Sequence, residues 1–261
     1  MRYKLPSMFI YFTLTGCIQH TYEYPDCSEV EEGSSSIPTP SEDLDDSTDS
    51  TNSEDDAGSG GDAGTDDSPK STQYFFDDAQ SLLYVQVYKD PNALASNLAH
   101  NHVMRATNWT GNVIYNPESS DVCSMSFTLP VLDLAVDEDA MRDVVGYGDT
   151  ISANDRATIR EHMLDSNQLN SSQYTSIWFE SSYCEASDAG LLVTGDMFIA
   201  GTTTEMVVNV SVTSTSDKFY MSSVIDFTHA DFNITPYEAF FGAIRNAEPL
   251  TISFDMVGFA G

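Results

Sequence analysis

From Tyr74 onward the chain alternates apolar and polar residues in short runs, the period of a strand with one wet and one buried face. In 123–129, Cys123, Met125, Phe127 and Leu129 face one way, and Ser124, Ser126 and Thr128 the other. In 205–213, Met206, Val208, Val210 and Val212 share a face, and in 250–257 Leu250, Ile252, Phe254 and Met256 do. Further strands are predicted at 82–89, 100–106, 109–115, 174–184, 191–200 and 219–228. The segments 100–106 and 109–115 are close enough for a hairpin around Thr107-Asn108. One stretch, 137–164, has helical spacing instead, interrupted by Gly146-Tyr147-Gly148. Its opening Asp137-Glu138-Asp139 reads as acid complementing a helix dipole. Ser152 can cap the second half, with Asp155 in the first turn, and Ile159 and Met163 then share a helical face. Sequential strands with polar alternate faces predict an antiparallel meander, all-β with a short helical insertion. About eight strands can close into a β-barrel, which removes both edges and leaves room for one small ligand.

The region ahead of the strands is different in kind. Arg2 and Lys4 precede an apolar run, 5–14, that is far too short to span a bilayer. Leu14-Thr15-Gly16-Cys17 follows and resembles the bacterial lipobox, whose cysteine becomes the lipidated first residue of the mature protein. Residues 1–17 are therefore expected to be a lipoprotein signal peptide, with Cys17 as the anchor in the membrane. By resemblance to lipoprotein sorting, Ile18 after the cysteine leans toward an outer membrane, facing the periplasm or the cell surface. Residues 18–72 read as a disordered linker of Ser, Asp and Gly, too poor in large apolar residues to offset their ordering entropy. As a flexible coil this tether would span on the order of 40 Å. Residues 73–261 then make up the barrel domain.

Charge narrows the partners. The net charge of the 261-residue chain is −31. Such acidity argues against nucleic acid, whose phosphates demand a basic footprint, and against electrostatic docking on anionic lipid.

A resemblance emerges at 159–182. His162-Met163, followed by Tyr174, Ile177, Phe179 and Ser181, looks like the centre of the YceI-like family, where a His-Leu pair on a helix leads into a Tyr-Pro-x-Ile-x-Phe-x-Ser strand. Thr175 stands at the proline, and Ile159-Arg160 replace the family's Arg-Asp. Two further segments are similar. Val193-Thr194-Gly195-Asp196-Met197-Phe198-Ile199-Ala200-Gly201 resembles Thr-Gly-Asp-Leu-Thr-Ile-x-Gly. Asp231, Phe232 and Ile234 match Arg-x-Asp-Phe-Gly-Ile, with His229 at the arginine and Asn233 at the glycine. Glu205 falls where the family often has a base. The resemblance implies a lipocalin-like barrel with an apolar cavity, in a family some of whose members bind polyisoprenoid chains, and it implies no reaction. It places the counterpart of Phe179 inward. With it, Met125, Phe127, Ile177, Met197 and Phe232 are the expected cavity residues.

Candidate chemistry is sparse. No nucleophile-elbow, phosphate-loop, dinucleotide or zinc-protease spacing occurs, so no enzyme and no cofactor are expected. His100 and His102 alternate along one strand and share a face, a polar handle at the barrel mouth together with His162 and His229. The alternative is a periplasmic metal site on His100 and His102, with His162 or His229 completing it. A structural surface lipoprotein, whose tether is the working part, is a third reading. Of the cysteines other than Cys17, Cys123 opens one strand and Cys184 ends the next. If those strands pair antiparallel across the helical crossover, a disulfide joins them, and Cys27 is left over. The expected partner is a polyisoprenoid or other lipid, and pairing with a second copy is left open.

Overall fold

The computed structural model describes residues 71–119, 123–188 and 190–261. The signal-peptide and lipidation reading at 1–17, Cys27 and the linker up to residue 70 lie outside these residues. The described chain runs β1 (Thr72–Phe76), β2 (Leu82–Lys89), β3 (His102–Ala106), β4 (Thr110–Tyr115), β5 (Cys123–Pro130), β6 (Leu134–Val136), α1 (Asp139–Val144), α2 (Ala153–Leu164), β7 (Ser176–Ser187), β8 (Gly190–Ile199), β9 (Thr202–Ser214), β10 (Lys218–Thr228), β11 (Glu238–Ala239) and β12 (Ile244–Ala260). Among the described residues no helix is long and apolar enough to cross a membrane.

Eight of these strands close a ring, in the order β1-β4-β5-β7-β8-β9-β10-β12 and back to β1, every pairing antiparallel. The seam is short: Tyr74, Phe75 and Phe76 of β1 pair with Ala260, Phe259 and Gly258 of β12. Beyond the seam the same edge of β12 pairs with β2, and β3 and β6 extend that arm. β1 and β2 thus lie end to end along β12. Asp77 makes the break between them, its Oδ1 accepting from the backbone N–H of Ala79 and Gln80. The ladder is patched across the break, since Asp77 N–H donates to Val257 O at 2.9 Å and Ser81 Oγ accepts from Val257 N–H at 3.0 Å.

The expected hairpin between 100–106 and 109–115 does not form. β3 pairs with β2 and β6, whereas β4 pairs with β1 and β5. Thr107 does not turn the chain back. Its N–H and Oγ1 both donate to Asp133 O, in the turn between β5 and β6, so the two segments lie on successive stretches of the wall. The helical segment follows the expected division. α1 is followed by Gly146 at φ 74, and Ser152 caps α2 by accepting from Asp155 N–H at 3.2 Å.

The alternating faces sort into two storeys. The lower one is filled. Tyr74, Phe76, Trp109, Tyr115 and Phe219 form a cluster of rings with centroids 5.3–6.5 Å apart in the pairs they make. Val113, Met125, Leu191, Val193, Val208, Val210 and Met221 are buried with them in the same core. Above it the wall parts. β5 leaves β7 at Pro130, and the free edge of β6 is covered by α2.

β5 and β7 are antiparallel neighbours, and Cys123 and Cys184 are joined by a disulfide with Cα atoms 5.7 Å apart. The bridge ties residues 61 apart in sequence. In the loop-entropy model a closure of that length contributes about 4 kcal/mol. Replacing both cysteines with serine should lower the denaturant-unfolding free energy by roughly that amount. Peptide mapping without reductant should recover the Cys123–Cys184 pair from native protein.

Candidate functional site

The upper storey holds a cavity of about 230 Å3. Its wall is built from the inward positions of the surrounding strands: Leu83, Val85 and Val87 on β2, Met104 and Ala106 on β3, Ile177 on β7, Met197 and Ile199 on β8, Ile225 and Phe227 on β10, and Leu250, Ile252 and Phe254 on β12. Ile159 and Met163 of α2 complete it. No residue of α2 is fully buried; Ile159 and Met163 are half-buried, packed against the core and bordering the cavity. Among the described residues the lining contains no Ser, Thr, Cys, Asp, Glu, Lys or Arg.

Polar side chains occur in the same lining: Tyr84, His102, His162, Gln168, His229, Tyr237 and Asn246. Four lining residues, His162, Gln168, Ile234 and Tyr237, also border an adjoining polar recess of about 600 Å3. The His162 and Tyr237 rings lie 4.9 Å apart, and Gln168 Nε2 donates to Thr235 O at 3.0 Å, so the loop after α2 is tied to the 233–238 loop across the opening. His229 opens a one-turn 3-10 segment, His229–Phe232, fixed by a reciprocal cap in which Thr228 Oγ1 accepts from Asp231 N–H and Asp231 Oδ2 accepts from Thr228 N–H. Asn233 ends that segment at φ 55, a left-handed conformation that suits glycine first and asparagine next, which accounts for Asn at the family's glycine position. His229 Nδ1 lies 2.9 Å from Glu248 O, a carbonyl that can only accept, so that nitrogen carries the proton and Nε2 is the acceptor of the neutral ring.

His102 is held by a buried ion network. Its Nδ1 lies 2.7 Å from Asp137 Oδ2. Asp137 is wholly buried and also accepts from Val103 N–H at 3.0 Å and Arg142 Nη1 at 2.8 Å. Arg142, itself buried, reaches on to Asp149, which pairs with His100. Burial alone would raise the Asp137 carboxyl, but the hydrogen bonds and charge of His102, with the Val103 N–H and Arg142, outweigh it and hold the group below its ordinary value. His100, through its hydrogen bond, and Arg142 do the same for the exposed Asp149.

The ten expected pocket residues therefore divide. Phe127, Ile177, Met197, Phe232, His102, His162 and His229 line the cavity together. Met125, Phe179 and His100 are not among its lining residues. Met125 faces inward one storey down, in the packed core. Phe179 leans on Gly195, where a Cβ would sit 2.6 Å from the ring tip, and it stacks on Phe127 with centroids 6.1 Å apart, so it fills space below the void. His100 precedes β3, which starts at His102, so strand alternation does not apply to it and it turns outward to Asp149. The two histidines behind the metal reading thus engage different carboxylates, and no group of three or more His, Cys, Asp or Glu placed to hold a metal occurs among the described residues. Asp137 is the chief omission of the sequence reading. It sits at φ 49 between β6 and α1, outside the helix whose first turn it was expected to serve. The only signal for it was the acidic run itself; nothing local names His102 as its partner.

A closed antiparallel barrel whose upper half is an apolar cavity with histidines in its wall defines a class of proteins that enclose small apolar molecules. The chain belongs to the YceI-like domain family, whose model matches residues 86–257. Among solved structures, BcnA of Burkholderia cenocepacia is 18% identical and superposes with a TM-score of 0.51, over 70% of this chain and 98% of its own, and so has the same fold. A polyisoprenoid binding domain from Saccharophagus degradans, described as implicated in plant cell wall breakdown, is 11% identical, with a TM-score of 0.46 over 72% of this chain and 98% of its own. The YCEI protein of Campylobacter jejuni is 12% identical, with a TM-score of 0.40 over 57% of this chain and 82% of its own. Comparison with curated proteins gives no match.

Asp137→Asn tests the network with little disturbance to the backbone, since asparagine tolerates the same positive φ. Leaving Arg142 and His102 without their buried anion should cost on the order of 3 kcal/mol at neutral pH. The sign follows from the depressed carboxyl. Its contribution is complete above the ordinary aspartate value of 3.8 and is lost as pH falls through the lower native value. Denaturant titrations of both proteins should show their stability gap closing below about pH 3.8.

Proposed function

We propose that this protein binds and carries a long apolar molecule, a polyisoprenoid or another lipid, in the barrel cavity, without catalysis, while tethered to the cell envelope through a lipidated Cys17. The observation that carries the reading is the void of about 230 Å3, walled by aliphatic and aromatic side chains above a floor packed with rings. An apolar void of roughly 150 Å3 already stays dry and accepts an apolar guest. Each ligand methylene buried there contributes about 0.8 kcal/mol. His102 and His229, each with Nδ1 held by a protein group, have Nε2 available for a ligand head group. Polyisoprenoid binding by some members of the YceI-like family supports the same class of ligand. Among the described residues the lining supplies polar groups suited to orienting a ligand: His102, His162, His229, Gln168, Tyr84, Tyr237 and Asn246.

Ala106→Phe tests the cavity itself. In a solid core such an enlargement costs typically 1–3 kcal/mol of overpacking. Here the ring should enter the void, leaving the denaturant midpoint within error of the wild type. Lipid retained through mild extraction, read by native mass spectrometry, should fall severalfold. Loss of stability with retention unchanged would argue for a structural barrel.

The anchor has its own test. The wild-type chain should incorporate labelled palmitate and Cys17→Ser should not, because the reading places the acyl chains on that one thiol. A wild-type chain without label, or a Cys17→Ser chain that keeps it, would refute the lipidation reading.

A further inference from the structure

Four large apolar side chains stand in solvent on two neighbouring loops. Phe240 is 76% exposed, Phe241 fully so, Leu94 92% and Leu98 64%. Phe240 and Phe241 form the tip of the β11–β12 hairpin, just past the last strand pair, Ala239 with Ile244. Leu94 and Leu98 lie on the loop between β2 and β3. Ala95 N–H donates to Ala243 O at 2.8 Å, which fastens that loop to the tip.

The tip is an unusual choice of sequence for its backbone. Phe240, Phe241 and Gly242 have φ of 52, 58 and 80, and Ala243 N–H donates to Phe240 O at 3.2 Å. A turn with positive φ at its central residues favours Gly, Asn or Asp, and bulky residues fit it poorly. Folding gains neither relaxed backbone nor burial from two phenylalanines here. Their benefit must lie outside the described fold.

Position indicates what that benefit is. The same hairpin borders the cavity: Tyr237 and Asn246 line it, and Asn246 N–H donates to Tyr237 O at 2.9 Å. A stable protein interface takes about 20–30 residues on each side, far more than two loop tips supply. Insertion into lipid asks only for apolar side chains at a tip. Charge selects the kind of lipid. Arg245 beside the tip is neutralised by Asp90 at 2.6 Å, Lys89 opposite Asn246 donates to Ala99 O at 3.1 Å, and the net charge of −31 repels an anionic surface.

We propose that Phe240 and Phe241, with Leu94 and Leu98, insert into the surface of an uncharged, zwitterionic bilayer and set the cavity mouth against it, so that an apolar ligand passes between membrane and barrel without crossing water. The proposal rests on the carrier reading above.

The test uses the full chain carrying Cys17→Ser, so that no acyl anchor contributes, and phosphatidylcholine vesicles in a flotation assay. This protein should float with the vesicles. Adding Phe240→Ser and Phe241→Ser should weaken partitioning by at least about tenfold, from the apolar burial lost. Val224→Ser, a change at an exposed residue on the outer face of β10, should leave it unaltered. Unchanged thermal midpoints would show that the tip variants remain folded. Failure of the Cys17→Ser protein to float, or equal flotation of the tip variants, overturns the proposal. So does concentration-dependent self-association that the tip substitutions abolish while vesicles are ignored. Farnesol binding, measured by tryptophan fluorescence without vesicles, separates the two readings. Tip substitutions should leave it unchanged; farnesol binding without flotation would fell the docking surface alone, and flotation without farnesol binding would fell the carrier reading.

Discussion

The whole arrangement depends on how the wall closes. Three residues of β1 pair with the end of β12 and join the edges of what would otherwise be an open, strongly twisted sheet. Closure of this kind leaves no edge in the lower storey, so every inward side chain there meets another. The ring cluster around Phe219 is the consequence. β12 is 17 residues long and carries both storeys, with β1 on one stretch of its edge and β2 on another. The break between β1 and β2 at Asp77 lets a single strand edge serve two partners.

In the upper storey the closure is incomplete, and that makes a cavity of it. Once β5 has left β7 at Pro130, no ladder joins β6 to the far wall, and α2 covers the gap. A helix cannot approach a strand edge as closely as another strand does, since a helix with its side chains is about 10–12 Å across whereas strands lie under 5 Å apart. Ile159 and Met163 therefore face a void. A floor dense enough to be stable and a roof loose enough to be hollow come from one sheet.

Two histidines of the lining are oriented by other parts of the protein. Asp137 holds His102 at 2.7 Å, and the Glu248 carbonyl holds His229 at 2.9 Å. Asp137 is in turn fixed by Arg142, so the orientation of one cavity histidine rests on a buried pair outside the barrel wall. Such pairs are weak evidence for stability but do fix geometry. The phenylalanine tip beside the mouth presents the opposite picture, an apolar group kept in water by a left-handed turn.

The sequence determined what is local and periodic. Alternation showed the strands and their inward faces, as in Met206, Val208 and Val210 or Leu250, Ile252 and Phe254. Ser152 and the paired glycines after residue 145 marked the helices, because caps and breakers act within a turn. The three family-like segments carried the barrel class, and the cysteines at the ends of adjacent strands came together as two antiparallel neighbours must bring them. What only the tertiary structure decided is which neighbours meet. Proximity in sequence made 100–106 and 109–115 a hairpin, yet Thr107 bonds to Asp133 and sends them along separate pairings. An inward side chain is the same in the sequence whether it fills a floor or lines a void. Phe127 and Phe179 are register partners on adjacent strands, yet Phe179 packs over Gly195, where a Cβ would sit 2.6 Å from its ring tip, while Phe127 lines the cavity. Asp137 likewise had no local mark, since its partners His102 and Arg142 are brought to it by a β-pairing and a helix that the acidic run cannot encode by itself.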